Sequence, residues 1–164
     1  MNIFVLDTDP VKAAKAHADK HVVKMILETA QMLCSAFPKG FAPYKQAHYN
    51  HPCTKWARAS RENYSWLIEL GMALHQEYQY RYGEGKKHKS FAVIKWCKEH
   101  IDYIDFPERG QTPFAQAMPD DYKTENPVAA YRTYYINDKK EILDYTRRNA
   151  PSWTEWKKWD VKFH

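Results

Sequence analysis

Paired cysteines, long apolar runs and glycine-rich phosphate loops are all missing from this 164-residue chain. Cys34, Cys53 and Cys97 are odd in number, widely spaced and without a CxxC pair, which argues against a disulfide framework and a structural zinc site and suits a reducing cytoplasm. No apolar run approaches the roughly 20 residues that cross a bilayer, and the N-terminus has no basic region leading into an apolar signal segment. A soluble, unsecreted protein with no membrane partner is therefore expected. The GxxxxGK[ST] spacing does not occur, and no local Ser/His/Asp or Cys/His arrangement marks a nucleophile. Internal repeats, low-complexity tracts and strand-rich regions are absent as well.

What is present is positive charge beside aromatic rings. A net charge of +5 and a pI near 9.0 accompany 15% aromatics. That combination suits a polyanion whose bases stack on rings, so DNA or a nucleotide is the expected ligand. The length suits one independent core. The predicted architecture is mainly α: a single compact helical domain over 1–164, with two long helices, irregular loops and an aromatic C-terminal tail at about 150–164. No pattern specifies an oligomeric state.

Asn2 to Asp7 is a short apolar extended segment, and Asp9-Pro10 supplies an N-cap and a first-turn proline for a long helix predicted to end near Ala36. Phe37 to Pro52 holds three prolines and Gly40 and reads as a loop rich in side-chain donors, of the kind that lines sites. A second long helix is predicted from about Thr54 to Tyr82, stopped by Gly83. Asn63 and Arg81 fall on its otherwise apolar stripe, so each needs an interior partner or faces a cavity, and Glu77 stands four residues before Arg81 as its helix partner. The basic loop after Gly83, with His88 and Lys89, can wrap phosphate or form a solvated turn. A brief helix to about Tyr103, an irregular stretch from Asp105 to Pro127 and a last helix from Asn126-Pro127 to about Asn149 follow. The tail carries Trp153, Trp156 and Trp159 among lysines.

The segment from His17 to Gln31 concentrates the chemistry. Its ionisable residues recur at steps of four, three, four and three, which aligns His17, His21, Lys24, Glu28 and Gln31 within about 80° of one helix line. Apolar residues such as Val22, Met25, Ile26, Leu27 and Leu33 occupy most of the remaining circumference. A helix of that kind is normally buried, where pKa values move. His17, His21, Lys24 and Glu28 are therefore acid–base candidates expected to line one water-accessible cavity, the alternative being a solvated face of salt bridges. His17 and His21 also have the i, i+4 spacing of helical zinc ligands. The HExxH glutamate is absent and Asp19 points to another face, so neither a metal nor a cofactor is expected.

Several segments match a known pattern: Asp19-Lys-His-Val-Val-Lys-Met-Ile-Leu-Glu-Thr-Ala-Gln31, Asn50-His51-Pro52, Glu77-Tyr-Gln-Tyr-Arg-Tyr-Gly83, His88-Lys-Ser90, Gln116-Ala-Met-Pro119 and Ala130-Tyr-Arg-Thr-Tyr-Tyr135. Together they resemble a family of small uncharacterised tailed-phage proteins over nearly the whole chain, which implies a phage origin and a bacterial host cell. The first half also resembles the phage pyrimidine-dimer DNA glycosylases of the endonuclease V type and their bacterial relatives. In that family a compact helical domain starts at its own N-terminus, and a histidine on the first long helix precedes the catalytic glutamate by seven residues. His21 and Glu28 match that pair, and Asn50-His51-Pro52 matches the turn found in the bacterial relatives. The resemblance implies N-glycosylase action on DNA with Glu28 at its centre. One departure concerns the nucleophile: those enzymes use the amine of an N-terminal threonine, whereas this chain begins Met1-Asn2, and the bulky asparagine is expected to leave Met1 in place. Met1's own amine can substitute, since an α-amino group ordinarily titrates at about 7.7–8.0. Lys20 or Lys24 can also serve if burial activates it.

Three functions fit these residues. In a glycosylase with strand cleavage through an imine, Glu28 stabilises positive charge at the sugar or moves protons, and His51, Arg58, Arg81 and Lys89 hold phosphates. Lys20, Asn63 and His88 are further candidates for substrate or phosphate contact, and Trp56 or the tail tryptophans can act as wedges that open the duplex. In a metal-independent phosphodiesterase that degrades cyclic nucleotide immune signals, His17, His21 and Lys24 supply the acid, the base and the charge. In a non-enzymatic module, the basic and aromatic residues sequester a nucleotide or a host protein.

Overall fold

Helix α4 (Arg61–Tyr82) is the axis against which the other helices pack, and the computed structural model that shows this describes residues 1–154. Around it lie α1 (Pro10–Ala16), α2 (Asp19–Cys34), α3 (Pro52–Ala59) and α5 (Phe91–Glu99), and α6 (Pro127–Asp138) follows later in the chain. Leu67, Leu70 and Leu74 of α4 are fully buried, each side chain contributing about 1.5–3 kcal/mol by leaving water. At Gly71 the packing is closest. A Cβ there would meet Ile94 Cδ1 of α5 and Thr29 Cγ2 of α2, both at 2.9 Å, so only glycine lets the three helices meet. The protein is mainly α, as its composition and periodicity indicate; no strand forms among the described residues, and a lone parallel bridge joins Ser60 to Glu108. No helix among them is long and apolar enough to cross a membrane.

Both predicted long helices are broken, for tertiary reasons. The first parts at His17-Ala18, where the His17 ring donates from Nδ1 to the Ala13 carbonyl at 2.6 Å. Two tyrosines from the far end of the chain satisfy the backbone groups freed by the break. Tyr135 Oη accepts from the Ala18 N–H at 2.9 Å, and Tyr145 Oη donates to the Ala16 carbonyl at 2.6 Å. The second parts at Ser60, whose backbone is extended while its Oγ caps α4 by accepting from the Asn63 N–H at 3.1 Å. The neighbouring Ala59 carbonyl accepts instead from Glu108. Helix α6 ends at Asp138 rather than near Asn149, because the chain beyond it turns back over the junction of α1 and α2, where Asp144 accepts from the Asp19 N–H.

The cap and stop signals act as their residue types dictate. The Asp9 side chain accepts from Val11 N–H ahead of Pro10, the Asn126 side chain accepts from Ala129 N–H ahead of Pro127, and Gly83 ends α4 at φ +128°. Before α1, residues Asn2 to Leu6 thread through the core. Burying these first residues brings the N-terminus beside the middle of α2.

Candidate active site

Glu28 gathers the N-terminus around one carboxylate. Its Oε1 lies 3.3 Å from the Met1 α-amine and accepts from the Asn2 N–H at 3.2 Å, and its Oε2 is 3.6 Å from Lys24 Nζ. Glu28 is 8% exposed. Met1 is partly exposed as a residue although its side chain is only 3% exposed, so the accessible portion is its main chain, to which the amine belongs.

The amine is held in place by Asn2. Its Nδ2 donates to the Ala117 carbonyl at 2.9 Å, and its Oδ1 accepts from Cys53 Sγ at 3.5 Å. The Tyr131 hydroxyl lies 2.9 Å from Asn2 Oδ1 and 2.8 Å from the Ala115 carbonyl, and it accepts from the Ala117 N–H. Asn2, Cys53 and Tyr131 are buried, so the register of the N-terminus is strongly determined. Sequence reasoning missed Asn2 and Tyr131 as site residues. The available signal was the i, i+4 pair Tyr131 and Tyr135 on a single face of α6.

His51 caps α3 from the same neighbourhood, accepting from the Cys53 N–H at Nδ1 over 3.0 Å. Burial, followed by the positive N-terminus and His48, holds its pKa below the ordinary imidazole value, with Glu28 opposing. A neutral ring with Nδ1 accepting leaves Nε2–H as a donor. On the exposed side of α2, a cavity of about 640 Å³ is lined by Leu27, Gln31, Tyr44, Lys45, His88 and Lys89, among others. Tyr44 Oη and Ser90 Oγ, 2.9 Å apart, tie its two loops together. Lys20 and Lys24 stand exposed along the same helix. Arg58 donates to the Tyr49 carbonyl at 2.7 Å, with its guanidinium 3.7 Å above the Tyr49 ring.

Other candidates lie elsewhere. His17, His21, Lys24 and Glu28 do not share one cavity: the break before α2 takes His17 off the line, Phe4 and Tyr135 cover the His21 ring, and Lys24 projects into solvent with its side chain 66% exposed. Phe4 stacks on His21 at 4.5 Å, and His21 Nδ1 lies 2.7 Å from Tyr135 Oη. His17 is fully buried, and its Nε2 has no partner among the described residues. Arg81 does not approach a cavity mouth. Its guanidinium is consumed by Glu77, Asp19 and the Lys15 carbonyl, and Glu77 is the helix partner expected from the spacing. Asn63 is equally committed, pinning Thr112 and the Trp56 carbonyl. Trp56 packs on Phe114 and Trp66 and is no wedge. Trp153 packs against Tyr135, and Trp156 and Trp159 lie outside the described residues.

The residues from 1 to 90, which hold the amine, Glu28 and His51, match the family model for pyrimidine dimer DNA glycosylase. The chain belongs to that family. The match covers the amine–carboxylate pair and the Asn50-His51-Pro52 turn, and it makes the protein a DNA glycosylase of the endonuclease V type. No curated protein and no solved structure matches the chain. The two imidazoles that phosphodiester cleavage would require are buried in this glycosylase, out of reach of a phosphate.

Those buried imidazoles set the pH dependence of its stability. Burial, the largest cause in each case, lowers His17 to about 4 and His21 to about 3, from 6.5. Below 6.5 the unfolded chain binds more protons than the folded one, so stability is complete above 6.5 and falls as pH drops towards those folded values. The urea midpoint should decline between pH 6.5 and about 5, above the range where most carboxylates titrate. A His21→Leu variant should show a flatter slope there whatever its absolute midpoint, and an unchanged slope would refute the assignment.

Proposed function

We propose that this protein is a DNA N-glycosylase with lyase activity in which the Met1 α-amine attacks C1′ of a damaged nucleotide and Glu28 manages the charge and protons of that step. The observation that carries the reading is the 3.3 Å pair of Met1 amine and Glu28 carboxylate. The neutral amine forms the N–C1′ bond while the base departs with the electron pair of the glycosidic bond and takes up a proton. The proton lost from nitrogen passes to Glu28. As positive charge develops at the sugar, a carboxylate already in position stabilises it without reorganisation. Opening of the sugar ring then yields an imine, and loss of a C2′ proton expels the 3′ phosphate.

Lys24 beside Glu28, Lys20 on the same helix, Lys45 and Lys89 at the cavity beside Leu27 and Gln31, and Arg58 on the Tyr49 ring supply phosphate contacts, and His51 Nε2–H supplies a donor near the amine. Lysine is a weaker candidate for the nucleophile, since Lys20 and Lys24 are exposed and lack the desolvation that activates a lysine. The whole chain acts as one unit in this reading. The family match ends at residue 90, yet Ala117 and Tyr131 hold the N-terminus in register.

Borohydride trapping tests the proposal. Incubation with lesion-bearing duplex should give a covalent protein–DNA adduct that maps to residue 1 and disappears when the α-amine is acetylated. An adduct that persists after acetylation and maps to Lys20 or Lys24 would remove Met1 from the mechanism. Cleavage of a cyclic nucleotide panel with no adduct would overturn the lyase reading altogether.

A further inference from the structure

A second basic cavity lies away from Glu28, between α1, the end of α4 and the 145–153 segment, with a volume of about 780 Å³. Lys12, Lys15, Arg132, Arg147 and Arg148 line it, with Asp7 the single carboxylate among the described residues there. Two of these cations are anchored by neighbours: Arg132 by Asp7 and the Leu6 carbonyl, and Arg148 by Glu77. Lys12, Lys15 and Arg147 are exposed, and none pairs with a carboxylate among the described residues. Arg147 adopts φ +58°, a left-handed conformation that costs a non-glycine residue energy. The ring of Tyr80, 42% exposed, carries the guanidinium of Arg147 at 5.0 Å and that of Arg148 at 4.6 Å. The aromatic ring thus holds the Arg147 guanidinium at the cavity wall beside Arg148, whose charge Glu77 balances, so that Arg147 remains available to an anion.

The segment that lines the cavity is tied to the start of α2, whereas the amine lies beside the middle of that helix. Thr146 donates to Asp19 at the start of α2 through both its N–H and its hydroxyl, so the segment bearing Arg147 is fixed there. Glu28 is nine residues further along the helix, about 14 Å at roughly 1.5 Å per residue. That span is several times the roughly 3.4 Å axial rise per nucleotide, so an occupant of the cavity lies outside the reacting nucleotide itself.

We propose that this cavity binds backbone phosphates of the substrate DNA that flank the reacting nucleotide. The proposal rests on the glycosylase reading for its ligand. It makes the affinity of the enzyme depend on flanking DNA that never approaches the lesion.

The test uses the double variant Lys15→Gln/Arg147→Gln in the full chain, with two lesion duplexes. One extends at least eight base pairs on each side of the lesion, and the other only two, its strands joined at both ends by uncharged non-nucleotide linkers that keep it paired. On the long duplex the variant should bind more weakly, and the slope of log affinity against log salt should be shallower by about 2, one for each lost phosphate contact. On the short duplex its affinity and borohydride trapping should equal those of the unaltered protein. Equal affinity on the long duplex, or an equal loss on both, would overturn the proposal. So would a variant that loses only the binding of a free nucleoside triphosphate, because the cavity would then serve a nucleotide rather than a strand. Failure of the glycosylase reading is distinguishable, since it abolishes the adduct on both duplexes and in both proteins.

Discussion

Glu28→Gln is expected to lower single-turnover base release by about 10²–10⁴-fold, the usual contribution of a positioned acid–base group, while the thermal midpoint stays near that of the unaltered protein. The substitution retains shape and one acceptor oxygen, which continues to receive the Asn2 N–H at the Oε1 position. It places an amide nitrogen near Lys24, but that side chain is exposed and can swing away. What disappears is the negative charge facing the Met1 amine, and with it both the stabilisation of the sugar cation and the proton acceptor. Glu28→Asp keeps the charge but draws it back along the side chain, and misplacement of about 1 Å costs on the order of 10²-fold. Both variants should retain affinity for lesion duplex. A Glu28→Gln protein with undiminished single-turnover rate would eliminate Glu28 from the chemistry.

Arg81→Met is expected to destabilise the fold by about 3–5 kcal/mol, the cost of leaving buried charge uncompensated. That corresponds to roughly 6–20 °C in thermal midpoint for a chain of this size. The Arg81 side chain is fully buried, donating to Glu77 at 3.0 Å, to Asp19 at 2.9 Å and to the Lys15 carbonyl at 3.1 Å. Arg148 also binds Glu77, and Asp19 further accepts from Thr146. Burial works against the Asp19 carboxylate, yet Thr146 and Arg81 together hold its pKa below the ordinary value. One guanidinium therefore joins α1, α2, α4 and the returning C-terminal segment. Arg81→Lys should recover only part of the loss, because a single ammonium cannot span three acceptors in different directions. Differential scanning calorimetry measures the effect. A midpoint unchanged in Arg81→Met would show that the network contributes no net stability, and weakened DNA affinity at unchanged stability would return Arg81 to the substrate.

The amine–carboxylate pair shows how unevenly the site could be read in advance. Glu28 was identifiable because a single carboxylate on a helix apolar nearly all round is costly unless it has a partner or a task. Its partner was legible only as a possibility, since Met1 and Glu28 are 27 positions apart and nothing local directs one to the other. The route between them depends on Asn2, whose amide satisfies groups from three distant segments. His17 and His21 show the opposite outcome. A four-residue spacing on an assumed continuous helix placed them with Lys24; the break at His17-Ala18 took His17 off the line, and Phe4 and Tyr135 enclosed His21.

Helical class, the Asp9-Pro10, Gly83 and Asn126-Pro127 boundaries, the stray polar groups at Asn63 and Arg81 and the Glu77 partner were all available from residue order. Each rests on interactions within about four positions, where backbone geometry limits the choices. Helix continuity, the fate of the charged stripe and the docking of the N-terminus were not. They depend on hydroxyls and a guanidinium brought from more than 60 positions away: Tyr135 and Tyr145 at the break before α2, Arg81 at Asp19, and Tyr131 at Asn2. A buried polar atom is satisfied by whichever partner the packing delivers, and no local pattern in the chain names that partner.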